Sequence, residues 1–161
     1  MELYLIRHAE AAPIGHDGIV NDEDRPLTAI GREQAQSLGR LFRKRRIHFD
    51  VIVTSPLLRA KQTTDELVAA LGKTAPPVEV FDEIGLKVRP KKICKYLNDL
   101  PAKNVVAIVG HQPGLSRFAA WLAGSKKAHL DLAKAGFARL TCDEPGKGEA
   151  VLQALLTPEW Y

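Results

Sequence analysis

The chain has 161 residues, 45% hydrophobic and 26% charged, with a formal net charge of +4. That length suits one domain with a buried core, and the composition is that of a globular protein, not of a disordered or disulfide-built one. No apolar run reaches the roughly 18 residues of a membrane span, and the N-terminus lacks the basic-then-apolar layout of a secretory leader, so a cytoplasmic location is expected.

Leu3 to Ile6 form an apolar run that meets Arg7 and His8 too soon to be a helix, which predicts a strand over 2–7. Residues 11–27 follow as one long loop, the kind of segment that is more often functional than incidental. A helix is predicted over 28–46, with Thr28 as N-cap and Ala35, Leu38, Leu41 and Phe42 at helical spacing. A strand over 50–54 leads to a helix over 56–72, with Pro56 in its first turn and Gly72 as its stop. Strands over 78–81 and 104–110 flank a helix over 90–99 that starts at Pro90. A helix over 113–124 and strands over 136–141 and 150–156 complete the chain, the last two strands joined by the turn-rich stretch 143–148. Strands alternating with helices predict an α/β fold. The expected architecture is a single-domain, three-layer α/β/α sandwich over 1–161, with a mostly parallel sheet and an antiparallel edge.

Several features read as structural. Cys94 and Cys142 match no metal spacing and are expected as free thiols. His16, His48 and His129 fall at no strand end and are expected to face solvent or to serve packing. Arg43, Lys44, Arg45 and Arg46 sit at a predicted helix C-terminus, where cations complement the macrodipole. The alternative for that run is a docking patch for an acidic partner. No aromatic residues interleave with it and no base-reading motif is present, so nucleic acid is not an expected partner.

Four basic groups stand apart because each falls at a strand-to-helix junction: Arg7, His8, Arg59 and His111. Ligands of open α/β sheets bind at that edge. Guanidinium forks suit tetrahedral oxyanions, and helix N-termini add N–H donors. Together they predict a phosphoryl pocket in which an imidazole can act as nucleophile. A zinc site is disfavoured, because Arg7 adjoins one candidate ligand and no Cys/His/Asp cluster completes a shell.

The segments Leu5–Glu10, Arg25–Thr28 with Gly31, Thr54–Thr63 and Ile108–Pro113 resemble the histidine phosphatase superfamily, and within it the SixA-type phosphohistidine phosphatases. The match runs in family order along nearly the whole chain. It implies a phosphoglycerate mutase-like fold and a metal-independent hydrolase without cofactor. His8 would be the nucleophile, and Arg7 and Arg59 the phosphoryl clamp. His111 would be the second pocket histidine, expected to be protonated, so that the pH profile would be bell-shaped. Arg25 and Gln112 are the further residues expected to contact substrate.

The departures bear on substrate. Ala9 stands where the common motif has glycine, which is tolerable only if the backbone there is one that any residue adopts. Where many members carry a general acid, this chain has Leu86, and where another branch carries one it has Gln112; Glu83 is the nearest candidate acid. An ester expels an alkoxide unless an acid supplies a proton, whereas an imidazole leaving group takes up its own near neutral pH. The expected activity is therefore phosphohistidine hydrolysis on a partner protein, either a phosphotransfer domain or a phosphocarrier. The alternatives are a small-molecule phosphomonoester phosphatase and a non-enzymatic phosphoprotein-binding module.

Overall fold

A computed structural model describes residues 1–101, 104–125 and 127–161 of the chain. Six strands form one sheet: β1 (Glu2–Arg7), β2 (Val51–Thr54), β3 (Val78–Val80), β4 (Val105–Gly110), β5 (Phe137–Thr141) and β6 (Val151–Leu156). Their spatial order is β3-β2-β4-β1-β5-β6. The first four are parallel, with Leu3 beside Val106 and Arg7 beside Gly110. β5 runs antiparallel to β1, and β6 antiparallel to β5, at the edge. The mostly parallel sheet with an antiparallel edge expected from the sequence is the one found.

Alternation along the central strands explains the two covering layers. Leu3, Leu5, Val106 and Ile108 point to one face, where they meet Ile93, Leu97, Leu115 and Phe118. These last come from α3 (Pro90–Asp99) and α4 (Gly114–Leu122). Tyr4, Ile6, Ala107 and Val109 point to the other face, against Leu38, Phe42, Leu67 and Leu71. Those belong to α1 (Ala29–Lys44) and α2 (Leu58–Leu71). Strands covered on both faces must be apolar throughout, which is why β1 and β4 read as continuous hydrophobic runs.

Helix ends follow their chemistry. The Thr28 hydroxyl accepts from the Gly31 N–H at 3.0 Å, the N-cap expected. Gly31 also lets α1 approach the chain after His8: a Cβ there would lie 2.0 Å from the Glu10 carbonyl oxygen. α2 ends at Gly72, whose φ of 63° suits glycine. Its start differs from expectation. The helix begins at Leu58, so Pro56 lies before it in a turn where the Ser55 hydroxyl accepts from the Leu57 N–H at 3.3 Å. That extra turn sets Ser55 free of the helix.

The segment 11–27 is a closed loop. Ala11 bridges to Leu27, and the Ala12 N–H donates to the Pro26 carbonyl at 2.9 Å. Short 3-10 turns occupy His16–Gly18 and Asp22–Asp24. Cys94 and Cys142 are free thiols. Among the described residues, no helix is long and apolar enough to cross a membrane.

Candidate active site

His8 and His111 each lie one residue past the end of a strand, and β1 and β4 are neighbours in the sheet. Strand pairing therefore brings the two imidazoles together, with ring centroids 5.1 Å apart. Arg59 enters from the first turn of α2, and its guanidine Nε donates to His8 Nε2 at 3.3 Å. The side chains of all three are buried or nearly so.

Backbone contacts set the tautomer of His8. Its Nδ1 lies 2.7 Å from the Ala9 carbonyl oxygen, which can only accept, so Nδ1 carries the proton. Nε2 is left with its lone pair in the site. The Ala9 N–H donates to the Thr63 hydroxyl at 3.0 Å, and that hydroxyl donates to the Arg59 carbonyl at 2.7 Å. Thr63 thus ties α2 to the nucleophile segment. Ala9 is fully buried and lacks a positive φ, so alanine fits where glycine was expected to matter.

Ser55 is the partner of His111. Its Oγ accepts from Leu57 and lies 2.7 Å from His111 Nε2, where a hydroxyl can donate or accept. When Ser55 donates, the proton of a neutral His111 sits on Nδ1, which is buried without a partner. Arg7 donates from one terminal nitrogen to the Leu132 carbonyl at 2.8 Å, and its Nε is likewise buried and unpartnered. Buried donors without partners are rare, and two of them on residues that neighbour His8 fit the lining of an anion site.

A carboxylate not singled out by the sequence completes the arrangement. Asp22 accepts from Arg59 Nη2 at 2.9 Å through one oxygen and from Arg25 at 2.9 Å through the other. Its carbonyl oxygen accepts from Arg59 Nη1 at 2.5 Å. Arg25 then Arg59 hold this carboxyl below the usual range. Arg25 also donates to the Ala12 and Ala11 carbonyls, so it braces the loop as well as facing the site. Gln112 donates to the Leu130 carbonyl at 3.3 Å and leaves its Oε1 unpartnered. Glu83 is committed to Lys92 and Arg89, and Leu86 is exposed. His16, His48 and His129 are exposed, as are Arg43 to Arg46. Among the described residues, no group of three His, Cys, Asp or Glu side chains is placed to hold a metal.

Burial, with Arg59, Arg7 and Arg25 nearby, pushes the His8 imidazole down to about 4. Burial beside His8 and Arg59 pushes His111 down to about 3. Burial therefore favours a neutral His111 ring in the ligand-free protein, whereas the charge expected on it belongs to the phosphoryl complex, where a bound anion opposes that shift. An NMR titration from about pH 8 to about 5 should show no protonation of either ring; a midpoint near the ordinary value of about 6.5 for His8 would overturn this. The stability sign follows. Unfolded imidazoles take up protons below about 6.5 and the folded ones do not, so stability is lost as pH falls from about 6.5 toward 4.

Comparison with known proteins agrees with this geometry. Residues 3–88 match the model of the histidine phosphatase superfamily (branch 1). The phosphohistidine phosphatase SixA of Escherichia coli strain K12 is 25% identical over 92% of this chain and 89% of its own. The solved protein histidine phosphatase SixA complexed with tungstate superposes with a TM-score of 0.85 at 24% identity, over 98% of this chain and 97% of that one. The solved alpha-ribazole phosphatase from Shigella flexneri shares the fold with a TM-score of 0.77 at 23% identity, over 98% and 97%.

Proposed function

This chain belongs to the histidine phosphatase superfamily, and from that footing we propose that it hydrolyses phosphohistidine on a partner protein through a phospho-His8 intermediate. Residues 1–161 are read as one such domain. The observation that carries the reading is the unprotonated His8 Nε2, facing Arg59, together with the unpartnered nitrogens of Arg7 and His111 and, among the described residues, no proton-donating carboxyl placed at the site. The 25% identity to a phosphohistidine phosphatase supports the same substrate class.

His8 Nε2 attacks phosphorus in line, and a phosphorus–nitrogen bond forms as the one to the substrate imidazole breaks. The departing ring keeps the electron pair and is protonated from solvent, which its basicity allows near neutral pH. Arg7, Arg59 and the Nδ1–H of His111 hold the equatorial oxygens. Positioning and preorganised charge supply most of the acceleration. Water then attacks phospho-His8, releasing phosphate and regenerating the imidazole. Asp22, whose carboxyl is held low first by Arg25, offers no proton to an alkoxide, so esters are expected to be poor substrates.

The test is phosphate release from a phosphohistidine-bearing protein beside para-nitrophenyl phosphate. Faster release from the phosphohistidine protein is expected. Equal or better cleavage of the ester would overturn the substrate class and favour a small-molecule phosphatase.

A further inference from the structure

Arg59 is the group on which a phosphoryl clamp most depends, yet both of its terminal nitrogens are taken by one residue of the long loop. Asp22 holds Nη2 with a carboxylate oxygen and Nη1 with its backbone carbonyl. The second carboxylate oxygen holds Arg25. An anionic group with its oxygens on two guanidinium forks is in the position a phosphoryl group would seek. We propose that Asp22 is a resident pseudo-ligand of the clamp, displaced by the incoming phosphoryl group, and that this displacement selects protein-borne phosphohistidine over free phosphate and small phosphate esters. The proposal rests on the phosphatase reading above and adds the source of its selectivity.

Displacement is more than a rotamer change. The backbone carbonyl of Asp22 is part of the contact, so the 3-10 turn Asp22–Asp24 has to move with it. The contacts that tie the loop down, apart from those of Asp22, lie at its base: the Ala11–Leu27 bridge, and Arg25 on the Ala12 and Ala11 carbonyls. Between these points Gly15 and Gly18 adopt φ of 89° and 78°, and Ile14 and Val20 are 57% and 80% exposed. Inorganic phosphate can only exchange one anion for another on Arg59. A protein that carries the phosphoryl group can also cover Ile14 and Val20, and that added contact offsets the opening. A binding-competent state that is a minor population raises the apparent dissociation constant of every ligand unable to favour it.

The experiment compares wild type with Asp22→Asn, which removes the charge but keeps a carbonyl acceptor. Asp24→Asn serves as control, since Asp24 bonds Asn21 and neither arginine. Inorganic phosphate and orthovanadate affinities are measured by calorimetry and by inhibition, and KM and kcat for para-nitrophenyl phosphate and for the phosphohistidine protein. In Asp22→Asn, phosphate should bind about tenfold more tightly and KM for the ester should fall to match. The preference for the phosphohistidine protein should narrow by the same factor. Unchanged or weaker phosphate binding, in a variant whose wild type binds phosphate, would overturn the gate while leaving the clamp intact. That result would make Asp22 a positioning residue for Arg59. Failure of both proteins to bind either anion would overturn the clamp and the gate with it.

Discussion

His8→Ala should abolish turnover while the protein keeps its fold. The loss expected on removing a nucleophile that acts as part of a unit is roughly 10⁴- to 10⁶-fold in kcat. The fold should survive because His8 contributes little to the core. Its two hydrogen bonds run to the Ala9 carbonyl and to Arg59, and its neighbours Ala9 and Arg7 are held independently by Thr63 and Leu132. Vanadate should still bind, because Arg7, Arg59 and His111 remain. The decisive measurement is acid-labile labelling during turnover: wild type should trap a phosphoryl group on His8, and the variant should trap none. Label retained by His8→Ala would move the nucleophile to His111. His111→Ala serves as the counterpart, slow but still labelled.

The second large effect is expected at Arg59. Truncation to alanine removes a buried fork that faces His8 through Nε and Asp22 through both terminal nitrogens. Charge-assisted hydrogen bonds are worth about 1.5–3 kcal/mol each, so vanadate inhibition should weaken by roughly 100-fold or more. Arg59→Lys keeps the charge but not the planar fork and should recover only part of that. Arg59→Ala also raises the accessible charge on Asp22, so phosphate release should suffer in KM before kcat. An unchanged vanadate constant in Arg59→Ala would remove this residue from the clamp.

Much of this was legible in the residues. His8 and His111 close two apolar runs, and such runs are buried parallel strands whose carboxyl ends deliver side chains to one edge. Arg59 was legible because it follows the β2 run at the start of a helical pattern. Other features depended on tertiary closure. Asp22 is one of four acids in the loop, beside Asp17, Glu23 and Asp24, and nothing in the order of residues says which one reaches the guanidinium. Asp22 is placed there only once the loop closes through the Ala11–Leu27 bridge and its own pair with Arg25. Ser55 stands in a motif segment, yet its role as the partner of His111 depends on the helix starting at Leu58 and not at Pro56. The residue type of His111 states only its ordinary titration, whereas burial beside His8 and Arg59 lowers it in the ligand-free protein.

The strand order has a consequence for how the molecule comes into being. β1 and β2 do not touch; β4 lies between them, and residues 105–110 are made long after both. A nascent chain that has emerged only through β3 therefore holds β1 apart from the β2–β3 pair, with unpaired edges facing the empty slot. Insertion of β4 closes a loop of some hundred residues in one event, which makes it a slow, non-local step. That same event carries His111 to His8. Joining of the two parallel halves of the sheet and the approach of His111 to His8 come with the same strand, so a chain stalled before β4 is edge-exposed and is expected to lack activity. The stretch 3–88 that matches the family model lacks the strand that would join its own halves. Expressed alone, it should fail to form a stable sheet.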